Sequence, residues 1–232
     1  MTQDKPVKKE NFLINILFNI VIPTLILSKL SGGDELGVKW ALIVALSFPI
    51  IYGLRDLKRS GKFNVFSALG ILSSSLTGGM ALLKLPPEYI IIKEATIPAL
   101  FAIATLISLK TPYPLVKTFI YNDKILQIDK VSAALNTNGT EQEFDKALVN
   151  ATYLMTLSFI LSSILNYILA KILLVSAPGT EAFNAELGKM NALSFPVIAV
   201  PATIIMMLAL FYLFKRIKAL THLELEDILI NQ

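Results

Sequence analysis

The 232-residue chain has no cysteine, one histidine and one tryptophan, and only 16% of it is charged. Without cysteine there is no disulfide framework of the kind that staples small secreted domains, and no thiolate metal site. With His222 as the single histidine, no zinc constellation and no Ser-His-Asp or Cys-His arrangement can be assembled within the apolar segments. No Walker loop or GxGxxG occurs, and Gly78-Gly79 is too little to cradle a phosphate. The charged fraction lies well below the roughly 25% of an ordinary soluble domain. Charge this sparse, and swept into the gaps between apolar blocks, excludes a soluble globular domain, a disordered chain and a nucleic-acid binder.

What remains is apolar: 54% of the residues are hydrophobic and the mean hydropathy is +0.65. A bilayer core about 30 Å thick takes roughly 20 apolar residues per helix, because lipid cannot satisfy exposed backbone groups. Six stretches meet that requirement: Phe12–Leu30, Trp40–Leu54, Val65–Leu85, Tyr89–Leu109, Ala147–Val175 and Met190–Phe214. The second is the shortest, and the fifth is long enough to tilt or to leave the bilayer. Lys5, Lys8 and Lys9 precede the first, but its length and the absence of a small-x-small cleavage pattern make it an uncleaved span.

Lysine and arginine set the orientation. The amino terminus, the Arg55–Asn64 loop, the Lys110–Lys146 connection and the carboxyl tail hold 15 of the 21 basic residues. Both termini are therefore expected in the cytoplasm. Acidic residues divide 11 to 6 between the same two sides, so the net charge of +4 falls on the cytoplasmic face. It reads as a topology signal, with the lipid surface as its counterpart.

The connection is the one long loop. Pro112 and Pro114 stop the fourth span. Leu115, Val116, Phe119 and Ile120 share one helical face, and Ile125, Ile128, Val131 and Leu135 share another. This pattern predicts two short amphipathic helices on the membrane surface. Thr140 and Glu143 resemble a capping box that opens the fifth helix in water. The tail ending in Leu223-Glu-Leu-Glu-Asp227 reads as a solvated end. Sequons at Asn138 and Asn150 fall on the cytoplasmic side and are chance matches. The expected fold is thus an all-α polytopic membrane protein, a single domain over residues 1–232 with six transmembrane helices and surface helices in connection 111–146.

Charged residues inside spans are the default functional candidates. Lys93 and Glu94 lie in the fourth block but are adjacent, so they cannot share one face of their helix. Uncharged polar residues are better organised. Thr152, Thr156, Ser163 and Asn166 share a face of the fifth helix, and Ser67, Gly70, Ser74, Thr77 and Ala81 share one of the third. Small and hydroxyl residues let helices approach and hydrogen-bond across the contact. Helix packing is the plainer reading of both faces, and a narrow polar cavity the sharper one. Asn19 in the first span is an amide that needs a partner in hydrocarbon. Prolines at 23, 49, 98, 196 and 201 can kink or hinge four of the spans.

Ile92-Lys-Glu-Ala-Thr-Ile-Pro-Ala-Leu-Phe-Ala102, followed by Pro114-Leu115-Val116, resembles the segment of the bacterial septation protein A family in which a Lys and a Thr open a span that ends before a Pro-Leu pair. The Ala41–Tyr52 span, the basic turn Arg55–Lys62 and the Val65–Leu83 span follow that family's order, so the likeness runs from about Trp40 to Ile120. Glu94 after the lysine, the scarcity of tryptophan and the longer connection depart from it, which points to that family or to a six-span sister group. The resemblance implies a bacterial cytoplasmic (inner) membrane protein with an envelope- or division-associated role and no catalytic chemistry. It carries Lys93 and Thr96 over as pocket or packing residues.

Two functions are expected from these readings. The first is a non-enzymatic protein that binds membrane lipids, other inner-membrane proteins or its own copies. The second is a small-solute or lipid transporter with a polar cavity between spans 1, 3, 4 and 5. Neither requires a catalytic residue, a metal, a cofactor or a nucleic-acid partner. The orientation has a direct check, since the chain has no native cysteine. Cysteines introduced at Gly61 or Asn138 should resist an impermeant thiol reagent applied to intact cells, and labelling from outside would reverse the topology.

Overall fold

The computed structural model describes residues 12–60, 65–111, 114–119, 121 and 126–230. The amino-terminal lysines, Gly61–Asn64, Pro112-Tyr113, Ile120 and Asn122–Ile125 lie outside them, as does the Ser67 side chain. Among the described residues the regular secondary structure is helical, with loops between the helices and no strand. Four helices of the described residues are long and apolar enough to cross a membrane, over Gly37–Lys58, Pro87–Ser108, Glu141–Leu173 and Glu181–Thr221. Leu13–Lys29 and Ala68–Leu82 are shorter apolar helices.

The first helical stretch consists of α1 (Phe12–Ile16), a π segment (Leu17–Val21) and α2 (Ile22–Lys29). Then follow α3 (Gly37–Ser60), α4 (Val65–Leu82) and α5 (Pro87–Ser108). The connection holds α6 (Leu115–Phe119) and α7 (Ile128–Asn138), and α8 (Glu141–Leu173) comes after it. The last long stretch is α9 (Glu181–Ser194), a second π segment (Phe195–Ala199) and α10 (Val200–Thr221), with a short α11 (Leu225–Ile228) in the tail. Both π segments accompany prolines, Pro23 just after the first and Pro196 inside the second. Proline has no N–H and clashes with the carbonyl four residues earlier, and a wider turn accommodates it.

The residues fall into two compact units, Met1–Lys93 with Tyr167–Phe195, and Glu94–Asn166 with Pro196–Gln232. In the first, α9 is packed along α2 at close range. A side-chain carbon added at Gly188 would lie 3.0 Å from Ser28 Oγ, 3.1 Å from the Thr24 carbonyl oxygen and 3.2 Å from Leu27 Cβ. Thr24 Oγ1 donates to the Gly188 carbonyl across this contact at 3.2 Å. One turn to either side are Asn184, which donates to Ser31 Oγ at 3.0 Å and to the Val38 carbonyl at 2.8 Å, and Asn191, which donates to the Asn19 carbonyl at 3.2 Å. Asn184, Gly188 and Asn191 are spaced four and three apart, so they form one stripe of α9.

The helix carrying that stripe begins nine residues before the predicted start of the sixth span. Thr180 caps it by accepting from the Phe183 N–H at 3.2 Å. Phe183, Leu187 and Met190 are buried at the same four-and-three spacing. Glu181–Lys189 is amphipathic rather than lipophilic, which is why a search for apolar runs passes over it.

In the second unit the connection departs from expectation. Val116, Val131 and Leu135 are buried in a protein core with Phe144, Ala147, Leu148 and Ala151 of α8 and Leu213, Ile217 and Leu220 of α10. Val116 of α6 and Ile128, Val131 and Leu135 of α7 thus pack against α8 and α10, where the sequence pattern predicts lipid contact. The reason is that both long helices run past their apolar blocks, and their ends offer a drier partner. Tyr121 lies against Phe144 with ring centroids 5.0 Å apart. Burial, then the charge of Asp129, pushes the Tyr121 phenol above its ordinary value, so it stays protonated.

The tail is also corrected. Ile228 is fully buried in the same core. Leu229 pairs with Leu126 as an antiparallel bridge. Gln127 donates to the Ile228 carbonyl from its backbone and to the Leu229 carbonyl from its side chain, each at 2.8 Å. A Lys130–Asp227 ion pair at 3.4 Å lies on the exposed rim. Thr140 and Asn138 both donate to the Leu220 carbonyl, at 3.1 and 3.0 Å, and Asn150 donates to the Tyr212 hydroxyl at 3.0 Å. The sequon asparagines therefore fasten the connection and α8 to α10.

Replacing Gly188 with leucine should overpack the α2–α9 contact, at a cost of about 1–3 kcal/mol. The check is the thermal midpoint of the purified protein in detergent. Gly188→Leu should lower it clearly, whereas Gly70→Ala, with nothing within 4 Å of the added carbon, should not.

Candidate functional site

Of the ten candidate side chains, Asn19, Ser74, Thr77 and Lys93 belong to the first unit, and Glu94, Thr96, Thr152, Thr156, Ser163 and Asn166 to the second. The most concentrated polar contact is at Lys93. Its stem and ammonium are buried at 8% exposure. Nζ donates to Thr77 Oγ1 at 2.8 Å and to Ser73 Oγ at 2.9 Å, with the Ser73 carbonyl at 3.5 Å. Ser73 and Thr77 are one turn apart on α4, so together they offer α5 a two-hydroxyl cup. The Thr77 hydroxyl in turn donates to the Ser73 carbonyl at 3.1 Å. An ammonium has three protons to place and strongly prefers to place them.

Ser74, singled out from the sequence, points elsewhere. One residue along a helix is a rotation of about 100°, and Ser74 lines a cleft between α3 and α4 with Gly78, Leu46 and Ile50. That cleft measures about 430 Å³. A carbon added at Gly78 would meet Leu46 Cδ1 at 2.8 Å, which marks how closely the two helices approach. Glu94 is half-buried and Thr96 exposed on α5.

On α8 the hydroxyls are buried but turned inward upon their own helix. Thr152 donates to the Leu148 carbonyl at 2.8 Å and Thr156 to the Thr152 carbonyl at 2.9 Å. Asn166 does the same to Ser162 at 2.8 Å. Ser163 instead crosses to α5 and donates to the Ala95 carbonyl at 2.8 Å, three residues before Pro98. Ser158, not chosen from the sequence, crosses to α10 and donates to the Ala202 carbonyl at 2.7 Å, next to Pro201. In the first span Asn19 donates to the Asn15 carbonyl at 3.1 Å and to Asn15 Oδ1 at 3.2 Å.

Two further clefts lie in the first unit. One, of about 150 Å³, is walled by Phe18, Phe48 and Tyr52 with Arg55 at its edge. The Phe18 ring is 6.0 Å from Phe48 and 6.4 Å from Tyr52 by centroid. The other, of about 650 Å³, lies between the start of α5 and the end of α8 and is lined by Glu88, Ile91, Tyr167 and Lys171 among others. Sequence reasoning missed both, because each is assembled from positions a loop or more apart. Of the ten candidates, Ser74 alone lines any of these three clefts.

An all-helical chain with several helices apolar and long enough to cross a bilayer has the physical character of a membrane protein. Compared with protein-family models, with curated proteins and with solved structures, the chain finds no match.

The Lys93 contact is testable as a unit. Lys93→Met and Thr77→Val should each destabilise the protein. The double variant should lose less than the sum of the two, by a coupling of about 0.5–3 kcal/mol. Unfolding in mixed micelles measures it, and strict additivity would mean that the contact contributes nothing.

Proposed function

We propose that this protein is a six-span bacterial inner-membrane protein with cytoplasmic termini. It works without catalysis, by holding membrane lipids, other membrane proteins or its own copies. The observation that carries the reading is where the polar groups of the apolar helices are directed. Lys93, Ser163, Thr24, Asn184 and Asn191 each tie one helix to another. Thr152, Thr156 and Asn166 are engaged by their own helix. Groups used in this way build a packed scaffold, whereas a conduit for polar solutes needs them turned towards a common opening. Leu13–Lys29 and Ala68–Leu82 supply the two remaining spans, and the distribution of lysine and arginine supplies the orientation.

The envelope- or division-associated role rests on the resemblance of Ile92–Ala102 and Pro114–Val116 to septation protein A. The test is removal of the gene from its native host, with cell length, septum frequency and resistance to osmotic shock as readouts. Altered length or envelope fragility is expected, together with recovery of a defined set of lipids or membrane proteins by cross-linked capture. Normal length and resistance, with nothing captured above a control membrane protein, would overturn the proposal.

A further inference from the structure

The cleft between the start of α5 and the end of α8 has two features that packing does not explain. The first is its size, about 650 Å³, within the range of roughly 300–1,000 Å³ typical of small-molecule sites. The second is its charge. Glu88 stands on one wall and Lys171 on the other. Neither forms an ion pair with another described residue. The Lys171 ammonium instead lies over the Tyr167 ring, 5.5 Å from its centroid, a contact that holds a cation while leaving its protons available.

The backbone at the far end of the cleft is already committed. The Val175 and Ser176 N–H groups donate to the Glu186 carboxylate at 3.0 and 2.9 Å. A ligand therefore meets one anion and one cation, not a nest of amides. Beyond this charged mouth the lining turns apolar. Ile91, one turn into α5 from Glu88, forms a buried floor at 8% exposure, and Ile92 continues it outwards at 59%. Since α5 and α8 are long enough to cross a membrane, the charged mouth lies at the end of spanning helices, where headgroups sit, and the apolar strip runs towards the acyl chains.

We infer that this cleft binds a zwitterionic phospholipid whose headgroup carries a phosphate and a primary ammonium, with the phosphate at Lys171, the ammonium at Glu88 and an acyl chain along Ile92. An anionic headgroup would satisfy Lys171 but meet the Glu88 carboxylate. A free cation would do the reverse. A headgroup with both charges pairs with both walls, and a primary ammonium donates hydrogen bonds that a trimethylated one cannot. The inference rests on the reading of the protein as a lipid- or partner-binding membrane protein, and it names one ligand and its place.

The test uses the full chain in detergent micelles, with bound lipid read by native mass spectrometry. The probes are phosphatidylethanolamine, phosphatidylcholine and phosphatidylglycerol of matched chains, and glycerophosphoethanolamine as the headgroup without chains. Phosphatidylethanolamine should be retained best. Glu88→Gln and Lys171→Gln should each weaken it about tenfold, the range of one charge-assisted hydrogen bond. Lys189→Gln, an exposed charge elsewhere in the same unit, should leave it unchanged. Glu88→Lys should turn the preference towards phosphatidylglycerol, and because it gains a ligand it cannot be mistaken for misfolding. Equal retention of the three lipids, or no effect of either neutral variant, would overturn the inference. So would glycerophosphoethanolamine binding as tightly as the lipid, which would make the ligand a soluble zwitterion. Capture of a partner protein with no headgroup preference would remove this site while leaving the proposed function standing.

Discussion

In a hydrocarbon layer no water stands by to satisfy a backbone carbonyl, and each proline in a spanning helix withholds the N–H that one carbonyl would have received. This chain carries five prolines in its apolar blocks, and at one of them the missing donor comes from a side chain. At Pro23 the carbonyl deprived of its usual donor is that of Asn19, and the Asn191 side chain reaches it. Close to Pro98, Ser163 donates to the Ala95 carbonyl, and beside Pro201 Ser158 donates to the Ala202 carbonyl, bonds that cross between helices at the kinks without reaching the carbonyls those prolines deprive. Each donor comes from a different helix than the carbonyl it meets. At Pro23 a local defect in one helix therefore becomes a fastening to another.

Glycine completes the arrangement by letting backbones come close enough for short side chains to cross. Gly188 is the clearest case, since the Thr24 hydroxyl reaches the Gly188 carbonyl only where no side chain intervenes. Interhelix hydrogen bonds of this kind average roughly 0.6 kcal/mol each in membrane proteins. No single one holds the fold. Their number and spacing along α9 fix the register of α2 against it, and van der Waals packing follows from that register.

Much of the architecture could be read from hydropathy, because lipid makes a simple demand that sequence meets in long blocks. What escaped was whatever depended on a second element. Glu181–Lys189 looks polar along the chain, yet its Phe183, Asn184, Leu187 and Gly188 are buried against neighbours. Leu223–Asp227 looks solvated because Glu224, Glu226 and Asp227 are charged, but Ile228 and Leu229 secure it. The polar face read along α4 contains Thr77, which meets Lys93, but not Ser73, which completes that contact. Spacing tells which residues share a face. It does not tell which of two neighbouring helices that face meets. The two charged walls of the α5–α8 cleft come from positions 88 and 171, and no local pattern in the sequence joins them.

The core beneath the connection has a consequence for the order in which the protein can be made. Leu126 and Gln127 are partnered by Ile228 and Leu229, and the Gln127–Leu229 hydrogen bond spans 102 positions. A ribosome that has just released α6 and α7 has not yet made α10 or the tail. During that interval the apolar stripe of the connection has no protein to cover it, and contacts of such long separation are slow to close. The nearest apolar surface at that stage is the membrane itself. An amphipathic helix that can rest on lipid and later transfer to protein is suited to both stations, so the surface character written into residues 114–138 describes a stop on the assembly route as much as an address in the finished fold.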